Sequence, residues 1–167
     1  HGHSPSRPQA MPDTSSNPLH KLLGHWRGKE TIQPSQWGAG GPAQARVACR
    51  EALDGKAFVQ DYEAERDGKT WLQAHAIFAR RPEAADYSLF WFDSLGFAPQ
   101  EPAQGTWDGH DLAFIRTSPR GQSRHTYTFI DDDTYGMRLE SSFDGGATYV
   151  LVMEGVYTRI HDEQPGR

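Results

Sequence analysis

Two stretches of the sequence place an acidic side chain on an otherwise apolar strand face. In Tyr87–Asp93, strict alternation puts Trp91 and Asp93 on one face. Near the C-terminus, Glu154 shares a face with three valines. Burial raises the pKa of an unpaired carboxylic acid, which can then act as a general acid or base, whereas a buried ion pair would keep it charged. Asp93 and Glu154 are therefore candidate site residues.

Arg124 is the candidate partner for such an acid, or for the carboxylate of a bound molecule. It alternates with Thr126 along Gln122–Ile130, on the face opposite His125 and Tyr127. An inward arginine would hold a carboxylate through its planar, two-pronged guanidinium. The alternative is an arginine on the outer wall paired with a neighbouring Asp or Glu, and we favour it by a small margin.

Aromatic side chains provide the candidate walls of a binding site. Trp26, Tyr62, Trp71 and Tyr127 are the rings that we consider, and ordinary core packing is the favoured alternative for each. The predicted ligand-binding set is Trp26, Tyr62, Trp91, Asp93, Arg124, Tyr127 and Glu154.

The motifs of common catalytic and metal sites are missing from the sequence. It contains no Gly-x-Ser-x-Gly elbow, no phosphate-binding glycine loop and no His-Glu-x-x-His motif. The acidic run Asp131–Asp133 lacks the spacing and the distal Glu of a calcium loop. We predict no catalytic residue, no metal and no cofactor, and lean against an enzyme while leaving that question open.

The elements that would position these residues follow from the turn signals. After the helix-start signal Asn17-Pro18 and a short leucine stripe, the hydrophobic period changes to two and stays there. Turns of two to five residues divide the remainder into about ten strands, which must then pair antiparallel with their sequence neighbours. The sequence predicts an all-β fold: a closed up-and-down barrel with a short N-terminal helix. A two-sheet sandwich, which needs longer crossovers, is the alternative.

The composition fits one domain. The 167 residues divide into a Pro- and Ser-rich segment 1–16, expected to be disordered or a cloning remnant, a barrel over 17–161, and a disordered polar tail over 162–167. The net charge is −5, and no dense basic block is present, so nucleic acid and membrane surfaces are not expected partners. No apolar run approaches the ~20 residues of a membrane-spanning helix.

Five blocks of the sequence resemble one bacterial family. They are Leu22–Gly28, Leu53–Tyr62, Trp91–Gly96, Arg124–Phe129 and Tyr157–Arg159. The chain resembles the domain-of-unknown-function family 1579, which is grouped with the calycins. The resemblance implies a lipocalin-like or fatty-acid-binding-like barrel, and it implies no established activity.

A second resemblance raises a haem alternative. The block Gly24–Gly28 has the Gly-x-Trp-x-Gly pattern that nitrobindin-like haem proteins share. Haem would need an inward histidine late in the chain to bind the iron. His125 lies in the middle of a strand and His161 lies beyond the last one, so neither matches well. The haem alternative is therefore the less favoured one.

The sequence as a whole predicts a protein that binds a small hydrophobic or carboxylate-bearing molecule inside the barrel. An enzyme using the acids of the lumen and a barrel without ligand are the alternatives. Both faces of Ala147–Ile160 are apolar, which predicts a homodimer. The single Cys49 favours the cytoplasm over the periplasm without deciding the compartment.

Overall fold

The computed structural model describes residues 17–81 and 86–161, which form ten strands and one short helix. The predicted segments 1–16 and 162–167 lie outside the described residues. The strands are β1 (Gly24–Ile32), β2 (Gly41–Ala52), β3 (Ala57–Arg66), β4 (Lys69–Arg80), β5 (Tyr87–Asp93), β6 (Ala103–Trp107), β7 (Asp111–Ser118), β8 (Gly121–Asp131), β9 (Thr134–Ser142) and β10 (Val150–Arg159).

Each strand pairs antiparallel with its neighbours in sequence, and β1 pairs with β10 to close the sheet into a barrel. The closing register runs from Trp26 opposite Arg159 to Ile32 opposite Met153. Closure leaves no free sheet edge. The ten strands form one continuous sheet and not the two sheets of a sandwich. The predicted all-β closed barrel of about ten strands is confirmed.

The predicted N-terminal helix is a 3₁₀ helix of five residues, Pro18–Leu22. Asn17 caps it by accepting a hydrogen bond from the backbone N–H of Leu19 at 3.0 Å. Gly24 then adopts a φ of +114°, which ends the helix and starts β1. Among the residues that the structure describes, no helix is long and apolar enough to cross a membrane.

The 3₁₀ helix plugs one end of the barrel, which we call the closed end. Leu19 and Leu22 are fully buried there. The indole N–H of Trp26 donates to the carbonyl of Leu22 at 3.0 Å. The guanidinium of Arg159 lies 4.2 Å from the centre of the Trp26 ring and donates to the carbonyl of Leu23 at 2.6 Å. These contacts join the plug to both closing strands.

The inward side chains differ in size from one side of the barrel to the other. On β2 and β4, alternation turns Ala43, Ala45, Ala74 and Ala76 inward, and all four are buried. The inward positions of β8 to β10 carry large rings instead: Tyr127, Tyr135 and Tyr157. These strands therefore contribute side chains of unequal size to the interior.

The absence of a side chain at Gly28 allows the closing strands to pack. A Cβ added at Gly28 would overlap with the Tyr157 ring on β10. Gly28 has no positive φ, so alanine is compatible with its backbone. The close approach of the ring, rather than a special conformation, requires glycine here.

We expect Gly28→Ala to lower the free energy of unfolding by about 1–3 kcal/mol, because the added methyl group overpacks against Tyr157. Without that overlap, a Gly-to-Ala change would stabilise by about 0.4–1 kcal/mol through the unfolded state. Gly38→Ala is the matched control, since a Cβ at Gly38 meets nothing within 4 Å. Urea unfolding measures both variants, and equal effects would contradict the role assigned to Gly28.

Candidate functional site

A cavity of about 380 Å³ lies in the lumen. Three residues of the β5–β6 connection, Leu95, Phe97 and Pro99, contribute to its lining, so the cavity reaches the end of the barrel opposite the plug. We call this end the mouth. The volume falls in the range of small-molecule sites. Most of the other lining side chains are apolar or aromatic: Ile32, Val47, Tyr62, Trp71, Leu72, Leu89, Trp91, Ala103, Phe114, Tyr127, Tyr135, Met137, Leu139, Val152, Met153 and Tyr157.

Stacked rings form one wall of the cavity. The imidazole of His125 stacks on the Tyr127 ring at 5.0 Å with an interplanar angle of 15°. Trp91 lies 5.6 Å from His125 on one side and 5.6 Å from Tyr62 on the other. Such a wall offers flat, polarisable surfaces to a planar or apolar molecule.

His125 is a polar group on this wall without a partner. Among the described residues, no group donates a hydrogen bond to its ring or accepts one from it. Burial lowers its pKa from 6.5 to about 4, so the imidazole is neutral at neutral pH. A neutral imidazole has one donor and one acceptor nitrogen, and both remain available to a molecule in the cavity.

Glu30 forms the centre of a buried hydrogen-bonded cluster behind the cavity wall. The hydroxyl of Tyr62 donates to Glu30 Oε2 at 2.7 Å, and the hydroxyl of Tyr157 donates to the same oxygen. Burial raises the pKa of Glu30, and the two tyrosine hydrogen bonds offset that rise only in part. The other oxygen, Oε1, is buried without a hydrogen-bond partner.

Four of the seven predicted ligand-binding residues line the cavity: Tyr62, Trp91, Asp93 and Tyr127. Both carboxylate oxygens of Asp93 accept hydrogen bonds from other groups of the protein. Its Oδ2 accepts from the Trp91 indole at 3.0 Å, and its Oδ1 accepts from the backbone N–H groups of Leu95 and Phe97 at 3.0 and 3.3 Å. Asp93 thus fixes the loop at the mouth and the orientation of Trp91. That these four residues bind a ligand stays a prediction.

Arg124 is on the outer wall, as in the alternative that the sequence favoured, and not in the lumen. Its Nε donates to Glu140 Oε1 at 3.0 Å, and its guanidinium lies 3.8 Å from the centre of the Tyr149 ring. The reason is alternation: His125 and Tyr127 on the same strand turn inward, so Arg124 must turn outward.

Glu154 is also outside, and its predicted place in the lumen is wrong. It is exposed, as is Val156 on the same face of β10. The sequence grouped these residues correctly but chose the wrong face as the inner one. Met153 and Tyr157 fill the lumen side of this strand.

Trp26 is 1% exposed, but it does not line the cavity. Its ring packs edge-on against Tyr135 at 4.6 Å, between the plug and the lumen. The favoured alternative for this residue, core packing, describes its position.

Several polar residues in or behind the cavity wall were not selected from the sequence as site residues, among them Glu30, Arg116 and His125. Glu30 lies on the same face of β1 as Trp26 and Gly28, and this alternation is the sequence signal that could have identified it as an inward residue. Arg116 follows Leu112 and Phe114 in alternation, and both of those are fully buried. His125 entered only as a haem ligand that matched poorly, yet its imidazole does face the cavity.

A second concavity of about 650 Å³ lies on the outer wall. It contains a contact of 2.6 Å between His75 Nδ1 and Asp61 Oδ1, whose side chains are 77% and 61% exposed. A polar, open groove of this kind competes poorly with water for a small molecule. No group of three or more candidate metal ligands occurs among the described residues. The enclosed lumen is therefore the better candidate site.

Solved structures show the same fold. The S-type phycobiliprotein lyase CPES from Guillardia theta is 9% identical, with a TM-score of 0.63 over 87% of this chain and 92% of that chain. Rv2717c from M. tuberculosis is 16% identical, with a TM-score of 0.65 over 86% of this chain and 96% of that chain. At these identities the likeness establishes the fold and no common function.

The sequence itself was also compared with known proteins. No protein with a curated description matches it. A family model does match, and it covers residues 12–159, which include every strand of the barrel. The chain belongs to the family described as "Protein of unknown function (DUF1579)".

Proposed function

We propose that this protein binds a small hydrophobic or amphipathic molecule in the barrel lumen. The observation that carries the proposal is the unfilled cavity of about 380 Å³, enclosed by apolar and aromatic side chains and reached from the mouth. A barrel that served only as a structural scaffold would gain stability from filling this space, because atoms that line a void have no neighbours on one side.

Two ionisable groups beside the cavity, Glu30 and His125, are shifted toward their uncharged forms. Burial raises the pKa of Glu30 and lowers that of His125. In their neutral forms these two groups favour an apolar molecule and can still form hydrogen bonds with it. Indole, imidazole and phenol rings at Trp91, His125 and Tyr127 supply the contact surface.

The enzymatic alternative receives less support from the same geometry. It requires acids free to exchange protons in the lumen. Glu154 lies outside, and both oxygens of Asp93 accept hydrogen bonds from the mouth loop or from Trp91. Glu30 is enclosed behind two tyrosines. Binding is therefore the better description of what these residues can do.

The homodimer stays a prediction. Val150 and Val156 are exposed on the outer face of β10, at 61% and 51%. An apolar patch of this kind is suited to contact with a second copy. Such a contact would lie on the outer wall, so lumen binding does not depend on it.

Filling the cavity tests the proposal. Ala103 lines the cavity, whereas Ala147 is exposed, so Ala103→Phe and Ala147→Phe form a matched pair. With the neutral fluorescent probe N-phenylnaphthylamine, we expect blue-shifted, saturable binding to the parent protein and to Ala147→Phe. We expect at least a roughly tenfold loss of affinity in Ala103→Phe, since the added ring occupies the space of the probe.

Native mass spectrometry of the protein purified from its own host provides the second measurement. We expect a mass excess of one small molecule, which is absent from Ala103→Phe. An absorbance band of haem in the same preparation would support the haem alternative. A parent protein that carries nothing and binds no probe would contradict lumen binding.

The buried imidazole predicts an acid-dependent stability. Unfolded His125 takes up a proton near pH 6.5, whereas the native imidazole stays neutral down to about pH 4. The unfolded chain therefore binds more protons in this window, and stability falls as the pH decreases through it. The contribution is complete above pH 6.5 and amounts to up to about 3 kcal/mol.

We expect His125→Phe, which keeps an aromatic ring, to flatten the loss of unfolding free energy between pH 6.5 and 4. His25→Phe, at an exposed position on β1, is the control and should keep the slope of the parent protein. Denaturant unfolding at several pH values measures the slopes. The same slope in the parent protein and in both variants would show that His125 is not the responsible group.

A further inference from the structure

A row of polar side chains crosses three neighbouring strands at the mouth of the cavity. Arg116 on β7 stands opposite Ser123 on β8, and Ser123 stands opposite Ser141 on β9. All three line the cavity. Directly opposite positions on antiparallel strands bring Cβ atoms within about 4.5–5.5 Å of each other. The row is therefore a compact patch with one cation and two hydroxyls.

The hydrogen-bonding capacity of this row is unused by the protein. Among the described residues, none of the three side chains has a hydrogen-bond or ion-pair partner. Arg124 and Arg159, in contrast, have Glu140 and Asp133. A guanidinium facing an apolar cavity without a counter-ion favours an anion that enters from outside.

The position of the Arg116 guanidinium is supported from the mouth loop. Its central carbon lies 4.5 Å from the centre of the Phe97 ring. The backbone N–H of Phe97 is in turn held by Asp93. Asp93 is the only acid among the described lining residues, and its oxygens already accept hydrogen bonds from Trp91, Leu95 and Phe97. It is therefore a poor counter-ion for Arg116.

We infer that Arg116, with Ser123 and Ser141, binds the carboxylate of an apolar monocarboxylic acid whose body occupies the lumen. A guanidinium fork with two hydroxyl donors matches the acceptor oxygens of one carboxylate. Leu139 and Met153 are among the apolar residues that line the same cavity and would receive the body. The head group then lies at the mouth. This inference rests on the proposed lumen binding and specifies its ligand class.

The test compares an acid with its neutral counterpart of equal chain length. Decanoate and decanol each displace N-phenylnaphthylamine from the parent protein at neutral pH. We expect decanoate to displace the probe at a concentration at least tenfold lower than decanol does. A charge-assisted carboxylate contact is the physical source of that difference.

Variants test whether Arg116, Ser123 and Ser141 cause the difference in affinity between decanoate and decanol. Arg116→Gln should weaken decanoate by roughly tenfold to hundredfold and leave decanol within about twofold. The double variant Ser123→Ala, Ser141→Ala should weaken decanoate by roughly threefold to tenfold. Arg120→Gln removes the same charge from an exposed position in the β7–β8 turn and should change neither ligand. Unchanged binding of decanol reports that each variant is folded.

The outcomes separate the two proposals. Equal affinity for decanoate and decanol, or equal loss in Arg116→Gln and Arg120→Gln, would overturn the carboxylate site and leave lumen binding intact. If the parent protein binds neither the probe nor either ligand, lumen binding and the carboxylate site both fail. If decanol binds Arg116→Gln normally while decanoate does not, the assignment stands.

Discussion

The pairing of β1 with β10 connects the two ends of the chain, and the interior of the protein exists because of it. The pairing runs from Trp26 opposite Arg159 to Ile32 opposite Met153. Without it, a meander of ten strands would present two free edges and one continuous apolar face to water. The same register brings Tyr157 to Glu30, which is 127 positions away in sequence.

Closure also explains how a chain of 167 residues can enclose a cavity that its own side chains do not fill. The cavity is lined by Val47 on β2, by Leu72 on β4 and by the tyrosines Tyr127, Tyr135 and Tyr157 of β8 to β10. Side chains that face the cavity have less dispersion attraction than they would in a filled core, and this must be offset elsewhere. At the closed end, Leu19, Leu22 and Trp26 are almost completely buried and contribute to that offset. One end of the barrel is thus dense, and the other is open around a cavity.

The polar groups around the lumen differ in whether the protein itself provides them with partners. Deep in the wall, Glu30 is enclosed by the hydroxyls of Tyr62 and Tyr157, and burial raises its pKa. At the mouth, Arg116 remains beside Phe97 without an acidic partner among the described residues. A molecule with an anionic head and an apolar body would match this arrangement if its head lay beside Arg116, because this cation has no ion-pair partner among the described residues.

Period-two patterns and short turns are local properties, so the sequence could predict about ten strands, their antiparallel order and the closed barrel. Four of the residues selected from the sequence, Tyr62, Trp91, Asp93 and Tyr127, line the cavity. Alternation divides a strand into two faces without saying which one is inner, and when both are partly apolar the choice depends on the neighbouring strands. Only the tertiary structure made that choice: it turned Arg124 and Glu154 outward and Arg116 inward. The sequence could not identify the hydrogen-bond partners of Glu30 either, because they lie on strands that come together only when the barrel closes.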